Sequence, residues 1–290
     1  MNPAALAECG HAACPLSALV AKRPLVLCDL WGVLHDGREA FPEAVAALEA
    51  TRRAGCDVVL ISNSPERDDI VEGKLARLGI RHGLSHDGLI TSGTLGRELL
   101  ARDFAGKRIF LLGPEEDAPT LEGLKIARAG APDDADVLFA TGLLFEKAED
   151  HQAMLSEPAR RGIPMICANP DRIVRHAGRM EICAGAVADL YESLGGPVLW
   201  MGKPAAVPFE AARRDHAARR GSCPDWRDML MIGDSLATDI RGANALGIPS
   251  LLILSGIHRD ALDAGEPLAD LCARHRATPD HVADRLFWAR

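Results

Sequence analysis

No apolar run in this chain approaches the roughly 18 to 20 residues that a membrane span requires, and its first residues hold no basic segment followed by a signal-length apolar stretch. Membrane and exported classes are thereby set aside, and a cytoplasmic location is the expectation. An excess of positive charge is also missing. The formal net charge is -8 at pH 7, which argues against broad binding to nucleic acid or anionic lipid, since both call for basic patches. Any bound phosphate must then be met by local positive charge or by metal. The eight cysteines lack zinc spacing: Cys9-Gly10-His11 with Cys14 is one cluster, and no second pair of ligands follows it. Cys28, Cys56, Cys167 and Cys183 lie in apolar runs, where a reduced cysteine behaves as a small hydrophobe. No internal repeat or low-complexity tract is present.

What is there is enough for a sizeable core: 290 residues, 48% of them hydrophobic, can hold one large domain or two. The stretch from Arg23 to Gly37 is an apolar run of strand length that ends at Asp29, with Gly32 following to turn the chain. Phe41 to Gly55 reads as a helix, with Pro42 near its start and Gly55 in the stop position. Asp57 to Ser62 is a β-branched run that breaks into small polar residues. Strand, helix and strand within about forty residues make a βαβ unit, and so a parallel sheet with a right-handed crossover. The expected fold is α/β: a Rossmann-like parallel sheet with helices on both faces, plus an inserted smaller α/β domain.

The expected division is an N-terminal arm over 1–22, a discontinuous core over 23–87 and 179–290, and an insertion over 88–178. Within the insertion a second α/β rhythm runs through strands at Arg108–Leu112, Asp136–Ala140 and Pro164–Ala168. On return to the core, Pro197 to Trp200 leads to Gly202-Lys203-Pro204, and Met229 to Ile232 leads to Gly233-Asp234-Ser235 with Asp239. The last thirty or so residues read as a polar helical tail.

Strand ends thus offer a carboxylate (Asp29), a hydroxyl (Ser62), an ammonium (Lys203) and an acidic pair (Asp234, Asp239). Parallel strands would bring them to one edge, where open α/β sheets place ligands. Each has a plainer reading alone. A strand-end aspartate forms turns or caps helices, Ser62 could be a cap, Lys203 a solvated lysine, and Asp239 an acid favoured early in a helix. As a set, two carboxylates suit Mg²⁺, while a hydroxyl and a lysine suit phosphoryl oxygens.

In this order the residues resemble the haloacid dehalogenase superfamily of phosphohydrolases, and the insertion with Ala168-Asn169-Pro170-Asp171 resembles its NagD-like and 4-nitrophenylphosphatase-like subclass IIA, which carries a large α/β cap. The resemblance implies that Asp29 is the nucleophile, with Ser62 and Lys203 handling the phosphoryl group. It implies Mg²⁺ held by Asp29, Asp234 and the Trp31 main-chain carbonyl, with Asp239 in support. Asn63 joins the phosphate-binding set, and Asn169 and Asp171 either contact substrate or belong to an ordinary Asn-Pro-Asp turn. The implied substrate is a small phosphorylated metabolite of the sugar phosphate or nucleotide class; caps of this subclass often take part in dimer contacts, so a homodimer is among the expectations.

One position breaks the pattern. The family's first motif reads Asp-x-Asp, and here the second acid is Trp31, whose indole cannot act as a general acid near neutral pH. His35 or Asp36 could substitute for it. The alternative to a phosphatase is a catalytically impaired relative that binds a phosphorylated ligand as a sensor or partner protein.

Overall fold

The computed structural model describes residues 14–21, 23–176 and 179–289. Most of the expected arm, with Cys9 and His11, lies outside them. Two compact units are formed, one of Met1–Ile61, Glu72–Ile90 and Phe209–Arg290, the other of Ser62–Val71 and Thr91–Pro208.

The first unit is built on strands β1 (Leu25–Cys28), β2 (Asp57–Ser62) and β3 (Gly88–Thr91), and later β11 (Met229–Gly233), β12 (Ser250–Ile253) and β13 (His281–Ala283), in the spatial order β13-β12-β11-β1-β2-β3. The pairings of β1 with β11 and β2, of β11 with β12 and of β12 with β13 are parallel. Every residue of β1, β2, β11 and β12 is buried, which explains their nearly continuous apolar sequences: a parallel sheet is covered on both faces. On one face Leu25, Leu27, Val59, Ile61, Met229 and Met231 pack with Phe209 and Ala212 of the helix Ala206–Arg220. The chain runs outward from β1 to β2 and β3, then returns to the other side of β1 with β11. That reversal makes the β1/β11 boundary a topological switch point, the place where such sheets leave a crevice beyond the strands' carboxyl ends.

The tail is less polar than its sequence suggests. Leu268 and Leu271 of the helix Leu268–His275 are buried with Val282 of β13, so this segment closes one edge of the sheet.

The second unit has its own parallel sheet, of β4 (Arg108–Leu112), β5 (Ala127–Arg128), β6 (Val137–Ala140), β7 (Met165–Cys167) and β10 (Val198–Trp200), ordered β10-β7-β6-β4-β5. A two-stranded antiparallel hairpin, β8 (Ile173–His176) with β9 (Arg179–Ile182), stands apart. Two elements expected to belong with the first sheet belong here. The helix Ala184–Ser193 turns Ala184, Val187, Ala188 and Tyr191 into this unit's core, the i, i+3, i+4, i+7 face of an amphipathic helix. Its Tyr191 hydroxyl donates to the Ile163 carbonyl at 2.6 Å. The following strand β10 then pairs with β7, so Lys203 follows a strand of the second sheet and not of the first. Periodicity can show that Val198–Trp200 is a strand, but not which sheet receives it. Among the described residues no helix is long and apolar enough to cross a membrane.

Candidate active site

In the first unit, the acids expected to act together do converge. Asp29 is the residue after β1, Asp234 the residue after β11, and Asp239 lies in a single π-helical turn over Leu236–Ile240. The Asp29 N–H donates to the Ile232 carbonyl at 2.9 Å, which continues the β1/β11 ladder to the switch point. One carboxylate oxygen from each of the three acids lies within 4.8 Å of the others. All three are largely buried, at 9%, 7% and 0% exposure. Like charges this close repel by about 3 kcal/mol or more per pair at an effective dielectric constant of about 20, a repulsion that a bound cation would offset.

The donor set fits a hard one. Oxygens bound to one ion lie no more than about 4.2 Å apart for Mg²⁺ and about 4.8 Å apart for Ca²⁺, and the three here all fall within 4.8 Å of one another. The surrounding backbone fixes them there. Asp234 Oδ2 accepts the Ile257 N–H at 2.7 Å, and Asp239 Oδ2 accepts the Ser235 N–H at 3.0 Å. Gly32 and Gly256 flank Asp234 so closely that a Cβ on either would fall 2.1 Å from Asp234 Oδ2. Gly32 also has φ +75°, which suits glycine.

His258 completes this support and was not legible beforehand. Its Nε2 accepts the Leu236 N–H at 3.0 Å, at the start of the turn that carries Asp239. Burial, with His275 and Arg274 adding to it, lowers its pKa to about 4, so at neutral pH it is an uncharged acceptor. The only sequence cue was the glycine turn after β12.

Trp31 is half-buried with its ring edge-on to His35, centroids 5.0 Å apart. Neither neighbour has the properties of a substitute acid. Asp36 Oδ1 accepts the N–H groups of Arg38 and Glu39 at 2.9 Å each, and these bonds, that from Glu39 foremost, hold its carboxyl below the usual range. At neutral pH it has no proton to give. His35 is pushed down to about 4 by burial, and its Nδ1 accepts the Gly37 N–H at 3.0 Å, leaving a neutral ring.

Ser62, Asn63, Asn169 and Lys203 belong to the second unit. Ser62 ends β2; its hydroxyl oxygen accepts the Ser64 N–H at 3.2 Å, which leaves its own proton available to donate. Lys203 is 2% exposed and its peptide bond to Pro204 is cis. The Asn63 carboxamide is spent on protein: Oδ1 accepts the Lys203 N–H at 2.8 Å, and Nδ2 donates to the Lys203 carbonyl at 3.0 Å and to Asp171 Oδ1 at 2.9 Å. Any contact of Asn63 with a phosphoryl oxygen must therefore come from its main chain. Asn169 is half-buried, with Nδ2 3.4 Å from the Thr141 carbonyl. Asp171 of the Asn-Pro-Asp stretch and Ser92, the latter assigned no role from the sequence, join the Asn63 cluster.

Comparison with known proteins adds a lineage. A family model described as haloacid dehalogenase-like hydrolase matches residues 26–127, and a second, HAD-hydrolase-like, matches residues 200–289. A crystal structure of a haloacid dehalogenase-like family hydrolase from Brucella suis 1330 is 35% identical with a TM-score of 0.77, covering 84% of this chain and 93% of that one. The D-glycerol 3-phosphate phosphatase of Mycobacterium tuberculosis is 28% identical over 84% of this chain, although the match spans only 66% of that protein's length. A crystal structure of glycerol phosphate phosphatase from the same organism, in complex with magnesium, is 27% identical with a TM-score of 0.66, over 91% of this chain and 75% of that one.

Proposed function

Because the chain belongs to the haloacid dehalogenase-like hydrolase family, we propose that it is a magnesium-dependent phosphatase that hydrolyses a small phosphorylated metabolite, of the sugar phosphate class that includes glycerol phosphate, through an aspartyl phosphate. The observation that carries this reading is the convergence of Asp29, Asp234 and Asp239 to within 4.8 Å at the switch point of the first sheet. The named activity and the magnesium of the Mycobacterium tuberculosis relative support the substrate class and the metal.

Asp29 attacks phosphorus through a carboxylate oxygen, and its new P–O bond forms as the bond to the leaving oxygen breaks. Water then attacks the phosphorus of the aspartyl phosphate, which returns Asp29 as carboxylate and releases inorganic phosphate. Ser62 would donate a hydrogen bond to a phosphoryl oxygen, and the Lys203 ammonium would balance the charge of the phosphoryl group. Asp29, Asp234 and the Trp31 carbonyl would hold Mg²⁺, with Asp239 in support, and the ion would supply charge stabilisation to the phosphoryl oxygens.

Trp31 leaves the leaving group to draw its proton from solvent. General acid catalysis contributes about 10²- to 10⁴-fold, whereas phosphomonoester hydrolysis can be accelerated by up to about 10²¹-fold. A missing acid slows turnover and favours substrates with good leaving groups. The same residue favours a second reading, a binding protein that holds a phosphorylated ligand without turning it over. Phosphate release from a panel of phosphomonoesters, with and without Mg²⁺, separates them. The phosphatase reading expects release that requires both Mg²⁺ and Asp29; activity that is absent, or unchanged in Asp29→Asn, removes it.

A further inference from the structure

The Asn63 cluster joins three stretches of the second unit that are remote in sequence, since Asn63 lies 108 positions from Asp171 and 140 from Lys203. An asparagine side chain has two N–H donors and one carbonyl oxygen. Here both donors are used, one on Asp171 Oδ1 at 2.9 Å and one on the Lys203 carbonyl at 3.0 Å, while Oδ1 accepts the Lys203 N–H at 2.8 Å. The orientation of the amide is fixed by these partners. Turned over, it would set its oxygen against the Lys203 carbonyl and the Asp171 carboxylate, and its NH₂ against an N–H. At 4% exposure and with no donor to spare, the side chain has nothing to offer a phosphoryl oxygen.

What it does hold is both polar groups of one residue's main chain, and so the root of the Lys203 side chain. That root matters because lysine is a point charge on a flexible four-carbon stem. The approach is tight enough to dictate the neighbouring residue. A Cβ at Gly202 would fall 2.4 Å from Asn63 Oδ1, 2.1 Å from Ser92 Oγ and 2.8 Å from Pro170 Cγ. Ser92 Oγ lies 3.4 Å from Asn63 Oδ1 and donates to the Ser62 carbonyl at 3.3 Å, which ties the clasp to the main chain of the residue before Asn63.

We infer that Asn63 and Asp171 are positioning residues that act through Lys203: the carboxamide, oriented by the aspartate, clamps the lysine's main chain and thereby places its ammonium. The inference rests on the role given to Lys203 above. A misplacement of about 1 Å can cost about 10²-fold in rate, so Asn63→Ala should lower kcat on 4-nitrophenyl phosphate at least tenfold, with KM and inhibition by inorganic phosphate within about threefold of wild type.

The decisive measurement is a double-mutant cycle. If Asn63 acts through Lys203, Asn63→Ala costs nothing more in a Lys203→Ala background. Losses that multiply, or a rise in KM with kcat kept, would show a direct or independent role and overturn the inference. Wild-type rates in Lys203→Ala alone would instead overturn the role given to the lysine. Should Asn63→Ala fail to fold, Asp171→Ala removes the carboxylate that orients the carboxamide and leaves Asn63 and its bonds to Lys203 in place. A fall of kcat of at least threefold in Asp171→Ala that is absent in a Lys203→Ala background supports the clasp, and a wild-type kcat overturns it.

Discussion

The two ends of the first sheet handle buried acid in opposite ways. At the carboxyl end Asp29, Asp234 and Asp239 face one another within 4.8 Å. At the amino end Asp57, the first residue of β2 and 1% exposed, faces two arginines and a histidine of one helix: Arg219 at 2.7 Å, Arg220 at 2.7 Å through Nε, and His216 Nδ1 at 2.8 Å. Asp87 beside it accepts Arg52 Nε and the Val58 N–H, each at 2.9 Å. Acid matched to arginine is a solution complete within the chain. Acid gathered against acid is a set of oxygen donors suited to a shared cation, the arrangement on which the proposed metal site rests.

The largest effect expected from this contrast is at Asp29. Asn in its place removes the nucleophile and one of the facing charges, so phosphate release should fall to the assay background while the melting temperature does not fall. A loss of both would place Asp29 with Asp57 as a structural acid. Trp31→Asp works in the other direction by adding an acid to the carboxyl end, and the rate on a substrate with a poor leaving group should rise about 10²- to 10⁴-fold. No gain would mean that leaving-group protonation is not what limits turnover.

At the amino end, Asp57→Asn should destabilise the protein. Breaking a buried ion pair costs about 3–5 kcal/mol, and the lower figure applies because the Arg219 and Arg220 side chains are 28% and 55% exposed. Urea denaturation measures it; a loss below about 1 kcal/mol would mean that solvent serves these arginines as well as the aspartate does. Slightly smaller is the effect of metal. Mg²⁺ at about one hundred times its Kd should add about 2.7 kcal/mol of stability, lost in Asp234→Asn and kept in Asp57→Asn. Equal gains in both variants would place the ion elsewhere.

How much of this was legible follows from how local each signal is. The runs before Asp29, Ser62 and Asp234 are continuous and apolar because their strands are buried on both faces, and the acid or hydroxyl that stops each run marks its end. Which sheet β10 joins depends on β7, more than thirty residues earlier, and on the face Tyr191 presents, so Lys203 could be recognised but not placed. The Asn63 clasp spans 140 positions and leaves no periodicity to read. Asp57 is legible only as the first residue of a β-branched run, and Arg219 and Arg220 carry no signal of their own; only the packing of their helix on β2 brings them together. The β8–β9 hairpin and β13 escaped notice because three- or four-residue strands carry too little alternation to stand out.

The smallest effect separates the two ends by pH. Burial alone would raise the Asp57 pKa, but Arg220, Arg219 and His216 together draw it below the ordinary value of 3.8. A carboxyl whose folded pKa is depressed contributes stability that is fully present above its unfolded pKa and is lost as pH falls through the folded one. Unfolding free energies of wild type and Asp57→Asn should therefore draw together as pH falls below about pH 4. Taking the difference removes the titration of carboxylates outside this cluster, Asp29, Asp234 and Asp239 among them, because both proteins carry them. A gap that persists unchanged to pH 2 would mean that the aspartate contributes through shape and neutral hydrogen bonds rather than through its charge, and the contrast between the two ends of the sheet would then not be one of electrostatics.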